Sequence, residues 1–237
     1  MPDKVSLTID GRTVDAPAGS TILQAAQRAN IYIPHLCHND ELKPYGACRL
    51  CLVEITHGKR TRQVASCIYE ITEGLEVKTD TERVKNVRKL VVELMLARNP
   101  KHPAIRKIAS KVGVEKTRFA VEIKGCILCG MCIRTCREVV GVNAISYKSR
   151  GFLREVATPF NESPTDCIAC GSCAYVCPVD FIQMTEKNGV RTIWNTEFPL
   201  QKCKKCGRDI APEKQLEYFR KKVNLPENHF DTCLHCR

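Results

Sequence analysis

The sequence has few aromatic residues and no long apolar segment. Its 237 residues include 7 Phe, 6 Tyr and 1 Trp, which leaves little aromatic material for the cores of two or three small domains. No run of about 18 apolar residues could span a membrane, and no basic start followed by an apolar stretch marks a signal peptide. We therefore expect a cytoplasmic protein without a membrane span.

Motifs for nucleotide binding and nucleophilic catalysis are also missing. The chain has no G-x-G-x-x-G after a predicted strand, no phosphate-binding P-loop and no distinct Ser/His/Asp arrangement. We therefore expect no catalytic site for making or breaking bonds in this chain.

Cysteine is the residue that the chain has in excess, with 16 copies. In a cytosolic protein this much cysteine is more typical of metal binding than of disulfides. Because aromatic residues are scarce, each small domain is expected to use its metal as an internal cross-link.

Eight of the cysteines form two runs with the spacing C-x2-C-x2-C-x3-C, and Pro178 follows the second run. This is the spacing of a bacterial two-cluster ferredoxin, in which the fourth cysteine of each run ligates the other cluster. Paired zinc sites or disulfides do not need three closely spaced cysteines followed by a fourth. The sequence therefore predicts two 4Fe–4S clusters, with ligands Cys126, Cys129, Cys132 and Cys177 for the first and Cys167, Cys170, Cys173 and Cys136 for the second.

Four earlier cysteines have the spacing C-x10-C-x2-C-x15-C: Cys37, Cys48, Cys51 and Cys67. Plant-type ferredoxins use a C-x4-C-x2-C loop and one distant cysteine for a 2Fe–2S cluster. The first gap is longer here, but the inner pair and the distant ligand remain, so we predict a 2Fe–2S cluster. A four-cysteine zinc site is the alternative. His35 and His38 flank Cys37, but four cysteines already complete the set.

The residues around this set predict a β-grasp, or ubiquitin-like, domain over residues 1–80. Apolar and polar residues alternate through Val5, Leu7 and Ile9 before an Asp10-Gly11 turn, which is typical of a β-hairpin. A short helix is expected after Ser20 or Thr21, and further strands follow. The whole chain is predicted to be α+β.

The remaining chain divides into three predicted parts. Residues 81–120 form a helical linker, whose first helix (81–98) is expected to bury Val84, Val87, Leu90, Val91, Leu94 and Met95. Residues 121–198 form the two-cluster, 4Fe–4S ferredoxin-like domain. Residues 199–237 form a small module that resembles a zinc ribbon.

The last module contains two C-x2-C pairs: Cys203 and Cys206, then Cys233 and Cys236. Paired knuckles of this kind favour one zinc ion. A further iron–sulfur cluster or a site completed by a partner chain are the alternatives.

The formal charge of +11 would ordinarily suggest a nucleic-acid-binding protein. However, four sites of four thiolates, each with a metal core of about +2, would remove about 8 positive units. Binding of single-stranded nucleic acid requires aromatic side chains interleaved with the basic residues. The sequence has no such aromatic stripe. We therefore expect no nucleic-acid partner.

A resemblance to a known family covers roughly residues 1–185. It rests on the cysteine frame and on three segments: RKLVVELMLARNP, GCILCGMCIRTCREVVGVNAISYKSRGF and CIACGSCAYVCPVDFI. The chain resembles the diaphorase-type iron–sulfur subunits of NAD(P)-linked hydrogenases and formate dehydrogenases. It is equally similar to the N-terminal part of the complex I large iron–sulfur subunit and of iron-only hydrogenases. In this family a further 4Fe–4S cluster usually has one histidine and three cysteine ligands. Segment 98–119 contains His102 but no cysteine, so we expect that cluster to be absent.

The resemblance implies a relay of single electrons between a flavin- and NAD(P)H-binding subunit and a catalytic hydrogenase or formate dehydrogenase subunit. Ferredoxin is a further candidate partner, and the resemblance leaves electron bifurcation open. Two alternatives remain at this stage: a free multi-cluster ferredoxin, and a zinc-rich regulator that binds nucleic acid.

Overall fold

The computed structural model describes residues 4–58 and 60–237. The chain forms two compact units, Met1–Gly130 and Met131–Arg237. None of the helices in the described part of the chain combines the length and apolarity needed to cross a lipid bilayer.

The first unit is built on a five-stranded mixed sheet with strand order β2-β1-β5-β3-β4. Strands β1 and β5 are parallel, and the other neighbours are antiparallel. At the predicted hairpin turn, Asp10 and Gly11 have φ angles of 48° and 80°, which suit a tight connection between strands. The strands are β1 (Lys4–Ile9), β2 (Arg12–Pro17), β3 (Leu52–His57), β4 (Arg60–Ala65) and β5 (Glu76–Lys78).

Helix α1 (Ile22–Arg28) covers one face of this sheet. The Thr21 side chain accepts from the Gln24 backbone N–H, and the Gln24 side chain accepts from the Thr21 backbone N–H, which forms a capping box. Ile22, Leu23 and the alanines of the helix are buried in the same core as the inward residues of the strands. One helix on a sheet of this order is the β-grasp arrangement that the sequence predicts.

Two more helices follow the sheet, α2 (Glu82–Arg98) and α3 (Pro103–Val112). The Thr81 side chain caps α2 by accepting from the Val84 backbone N–H at 3.2 Å. The His102 side chain caps α3 by accepting from the Ala104 backbone N–H. Both helices lie where the sequence predicts a helical linker.

The buried face of α2 differs from the predicted apolar stripe. Leu90 and Leu94 are 37% and 49% exposed, whereas Val92 and Leu96 are buried. Arg88 lies on the buried face and is only 6% exposed. Its guanidinium donates to the Leu50 carbonyl at 3.1 Å and to the Leu52 carbonyl at 2.7 Å. Because these carbonyls flank Cys51, Arg88 fixes the backbone that carries this cysteine.

Replacing Arg88 tests this role. We expect R88A to lower the stability of the first unit by about 3 kcal/mol, because two buried carbonyls lose a charged donor. Anaerobic guanidinium denaturation followed by visible absorption should show a lower midpoint for loss of the chromophore. R83A is the matched control, because Arg83 lies on the exposed face of the same helix, and its midpoint should stay unchanged. Equal midpoints for R88A and R83A would contradict the role given to Arg88.

The second unit begins with helix α4 (Met131–Arg134), which continues into a π-helical turn, Thr135–Val140. The turn ends at Gly141, whose φ of +88° is left-handed. A short hairpin follows, with strands β6 (Ser146–Lys148) and β7 (Glu155–Ala157). The long spacer between the two cysteine runs predicts an inserted hairpin around Arg150-Gly151, and the structure has a hairpin there. Helix α5 (Ser172–Tyr175) lies inside the second run.

A four-stranded antiparallel sheet with order β11-β10-β9-β8 completes the second unit. Helix α6 (Glu213–Lys222) follows it, and the spacing of Leu216, Tyr218 and Phe219 predicts a helix in this segment. The predicted division at residues 198 and 199 falls inside strand β10, and the four-part division of the chain stays a prediction. The strands are β8 (Met184–Lys187), β9 (Val190–Ile193), β10 (Thr196–Lys202) and β11 (Asp209–Pro212).

Candidate metal centres

The four cysteines predicted for the 2Fe–2S cluster lie in the first unit, and all four are buried. The backbone N–H of Cys48 donates to Cys37 Sγ at 3.4 Å. The loop before Cys48 turns at Gly46, which has a φ of +69°. A Cβ added there would lie 3.1 Å from Ile68 Cδ1, so glycine allows the close approach of this loop.

The pKa values of these thiols show that their sulfurs face one another. A hydrogen bond from Cys67 lowers the pKa of Cys51 to about 6. The reciprocal contact raises the pKa of Cys67, and burial and the charges of Cys51, Cys37 and Cys48 act in the same direction. A hydrogen bond with Cys37 raises the pKa of Cys48. The structure therefore brings together the four thiols that the spacing predicts, in a set able to hold a metal group.

The first run of the paired motif divides between the two units. Cys126 and Cys129 are buried at the end of the first unit. Their loop is held by the end of α2, where Arg98 Nε donates to the Cys126 carbonyl at 2.9 Å and the Asn99 side chain donates to the Gly125 carbonyl at 2.8 Å. The Leu128 N–H donates to Cys126 Sγ at 3.4 Å.

The other two cysteines predicted for this cluster belong to the second unit. Cys132 is buried on α4. Cys177 is partly buried after α5, and its Sγ accepts from the Phe181 N–H at 3.2 Å. The ligand set of this cluster stays a prediction.

The second predicted cubane set lies wholly within the second unit. Cys136 comes from the π-helical turn, Cys167 and Cys170 from a loop, and Cys173 from α5. All four line one small cavity. The cavity and its four thiols fit the group that the spacing predicts.

Backbone N–H groups already point at the sulfurs of this set. The Ala144 N–H donates to Cys136 Sγ at 3.2 Å, and the Ala169 N–H donates to Cys167 Sγ at 3.4 Å. Burial raises the pKa of Cys173 to about 12. These amides would stabilise sulfur when it carries negative charge. The site is thus shaped for thiolates, although burial alone disfavours them.

Gly171 shows how tightly the loop of this set packs. It has a φ of +76°, and a Cβ added there would lie 2.7 Å from Met184 Sδ at the start of β8. The sequence predicts that a side chain after the second cysteine would crowd the cluster. In the structure, the left-handed backbone at Gly171 disfavours a side chain, and the end of the Met184 side chain would have to shift to admit one.

Side chains from the later part of the unit hold the loops of this set from outside. Arg191 Nη1 donates to the Ala169 carbonyl at 2.6 Å, and its Nε donates to Glu186 Oε1 at 2.6 Å. The Val140 carbonyl, at the end of the π-helical turn, accepts from Tyr218 at 2.7 Å and from Lys222 at 3.2 Å. Strand β9 and helix α6 therefore fix the backbone that positions the thiols.

Arg191 provides a test of this support. We expect R191M to release iron to a chelator several times faster than the wild type, because the Ala169 carbonyl and the loop around Cys170 lose their anchor. The measurement is anaerobic extraction of iron by bathophenanthroline, followed by absorbance. R150M is the control, since Arg150 is exposed and should leave the rate unchanged. A wild-type rate in R191M would refute the anchoring role.

The four cysteines of the C-terminal module also come together. The Sγ atoms of Cys203, Cys206, Cys233 and Cys236 all lie within 4.8 Å of one another. The distance from Cys206 Sγ to Cys233 Sγ is 3.7 Å. Tetrahedral zinc with Zn–S bonds of about 2.3 Å separates its sulfurs by about 3.8 Å. Among the described residues, the C-terminal cysteines are the set whose sulfur atoms lie as close together as the ligands of a single metal ion.

The surroundings of Cys203, in this C-terminal set, favour negative sulfur, whereas contacts with the other thiols raise the pKa of Cys236 to about 12. The backbone N–H of Cys233 donates to Cys203 Sγ at 3.3 Å. This contact, helped by the N–H of Cys206, lowers the pKa of Cys203 to about 6. Lys204 pairs with Asp231 at 2.6 Å, and Lys205 donates to the Cys236 carbonyl at 2.8 Å. The two lysines thereby tie the first knuckle to the second.

Two family models match the chain. A 2Fe–2S iron–sulfur cluster binding domain covers residues 2–82, and a 4Fe–4S dicluster domain covers residues 120–184. An NADH-quinone oxidoreductase subunit from Rhizobium meliloti is 30% identical over 86% of the chain. The NADP-reducing hydrogenase subunit HndD from Solidesulfovibrio fructosivorans is 34% identical over 73% of the chain.

The chain spans 27% and 35% of the lengths of these two relatives. A solved structure, an NAD+-reducing [NiFe]-hydrogenase in the H2-reduced state, matches with a TM-score of 0.66 and 27% identity. This match covers 74% of the chain and 85% of the hydrogenase chain.

The chain is homologous to the iron–sulfur subunits of NAD(P)-linked hydrogenases and of complex I. This confirms the resemblance that the cysteine frame and the three quoted segments indicate. A 2Fe–2S domain and a 4Fe–4S dicluster domain are both present. The C-terminal module lies outside the two matched domains.

The side chains that hold the cysteine loops were not found from the sequence. Arg191 lies 22 residues from Ala169, and Tyr218 lies 78 residues from Val140. No local motif joins residues so far apart. The surplus of basic residues in the sequence indicates that some of them support the cysteine loops. It does not identify which basic residues donate to a loop carbonyl.

Proposed function

We propose that the chain relays single electrons within a multi-subunit oxidoreductase. A flavin- and NAD(P)H-binding subunit lies on one side of the relay, and a catalytic hydrogenase or formate dehydrogenase subunit lies on the other. The observation that carries this proposal is the second cubane set, where four thiols surround one cavity and backbone amides donate to two of their sulfurs. The relatives are subunits of NAD(P)-linked hydrogenases and quinone oxidoreductases, which supports partners of this kind.

Each cysteine set has its own role in the proposal. Cys37, Cys48, Cys51 and Cys67 hold a 2Fe–2S cluster. The paired motif holds two 4Fe–4S clusters with the fourth ligands exchanged, so that Cys177 completes the first set and Cys136 the second. When bound, the clusters supply one-electron redox chemistry. The protein's contribution is to hold the thiolates, direct amides at sulfur and exclude water.

We propose that the C-terminal set holds one zinc ion. The sulfur separation of 3.7 Å supports a single tetrahedral ion, since a cubane binds each thiolate to a different iron and therefore needs wider spacing. Zinc has no redox chemistry, so this site would stabilise the fold and carry no electrons.

Metal analysis tests the whole assignment. The anaerobically purified chain is expected to contain about 10 iron, about 10 sulfide and about 1 zinc. After anaerobic reduction and removal of the reductant, it should return about three electrons to benzyl viologen, one for each cluster. The chain alone should not oxidise NADH or NADPH.

Three outcomes would contradict parts of this assignment. Zinc throughout with little sulfide would exclude electron transfer. About 12 or more iron without zinc would replace the zinc site with a further cluster. If the chain has its full iron content but returns no electrons to the viologen, the cluster assignment stands and the proposed electron relay is rejected.

A variant of the C-terminal module tests the zinc ion separately. We expect C233S to lose zinc and keep all its iron and sulfide, because a buried ligand of the single-ion site is removed. H235A is the control, since His235 is exposed beside the same knuckle and should keep its zinc. Loss of about four iron in C233S would show that the set holds a cubane.

A further inference from the structure

The only tryptophan of the chain, Trp194, lies in the wall of the cavity formed by the second cubane set. It comes from the hairpin between β9 and β10. The hairpin lies outside the segment matched by the dicluster model, which ends at residue 184. A residue from another part of the unit therefore borders the space between these thiols.

The indole N–H of Trp194 is a buried hydrogen-bond donor that lacks an acceptor among the described residues. A buried donor without an acceptor costs about 1–3 kcal/mol, so such groups are uncommon in folded proteins. The Trp194 side chain lies beside the Cys173 thiol, a member of the same set. An acceptor in the cavity would satisfy this donor.

The backbone at Trp194 is also unusual. Trp194 and Asn195 form a two-residue hairpin loop in which Ile193 pairs with Thr196. Their φ angles are 54° and 55°, the conformation of a type I′ turn, which favours Asn-Gly or Asp-Gly. A bulky residue in left-handed conformation is a strained outlier. The hairpin tolerates this strain while it holds the indole at the cavity.

We propose that the Trp194 indole N–H donates a hydrogen bond to a sulfur of the second 4Fe–4S site, formed by Cys136, Cys167, Cys170 and Cys173. The inference rests on the proposed function, since it needs a cubane in this cavity. Hydrogen bonds to sulfur favour the more negative, reduced state and so raise the reduction potential. Trp194 is thus a positioning residue that tunes one of the three centres.

The test is an EPR-monitored redox titration of the full chain, with wild type, W194F and I193V each loaded with iron and analysed for metal content. W194F keeps an aromatic ring and removes the N–H. We expect its midpoint to fall at one cubane by an amount equal to a tenfold change in the reduction equilibrium, which is about 59 mV for one electron. The other cubane and the 2Fe–2S centre should keep their midpoints.

The I193V variant is the matched control, because Ile193 borders the same cavity without a donor. All three of its midpoints should stay at the wild-type values. If W194F fails to retain its iron, benzothienylalanine at position 194 keeps the two-ring shape and replaces the N–H with sulfur. It should show the same shift as expected for W194F.

Each contrary result has a separate meaning. Unchanged midpoints in a fully loaded variant without the N–H would overturn this inference and leave the relay intact. Equal shifts at all three centres would also overturn it, because they would report a general change in the fold. A wild-type chain without two cubane signals would overturn the proposed function together with this inference.

Discussion

A loop that turns its N–H groups toward sulfur also turns carbonyl oxygens away from it, and those oxygens need donors of their own. This constraint recurs at the cysteine-bearing loops of both units. Arg88 donates to the carbonyls that flank Cys51, and Arg98 donates to the carbonyl of Cys126. Arg191 donates to the carbonyl of Ala169. In each case a long side chain from another element supplies the missing donor, so the loop keeps its shape without regular secondary structure.

The donors at these positions are mostly cationic. Arg88 is buried, and burial lowers its pKa, which shows that placing the charge there has a cost. That cost is offset where thiolates lie on the other side of the same loop, because opposite charges stabilise each other across a poorly solvated gap. Lys222 beside Val140 and Lys205 beside Cys236 follow the same arrangement. Part of the positive charge of the chain therefore serves its cysteine loops.

Local patterns predicted the parts of the fold that local physics decides. The Asp10-Gly11 hairpin, the Thr21 cap and the cysteine spacing can all be recognised within a few residues. The buried face of α2 was predicted only in part: Val84 and Met95 are buried, but Leu90 and Leu94 are exposed. The apolar pattern has no place for a buried arginine such as Arg88. The sheet of the second unit was missed. Its strand β8 is exposed along its whole length and shows no apolar alternation, and in β10 Pro199 lies between the alternating Phe198 and Leu200, which argues against a strand. A Trp-Asn pair is also a poor signal for a hairpin turn.

The C-terminal module shows how sequence spacing and spatial spacing differ as guides to a metal. A C-x2-C pair occurs in zinc knuckles and in cluster loops alike, so the sequence left both open. The sulfur separation of 3.7 Å in the structure supports our proposal of a single ion. A redox-inert ion also fits the position of the site: strand β10 leads from the Trp194 hairpin to Cys203, and helix α6 lies between the two knuckles. The ion that we propose there would therefore restrain strand β10, which follows the Trp194 hairpin, and helix α6, which supports the π-helical turn.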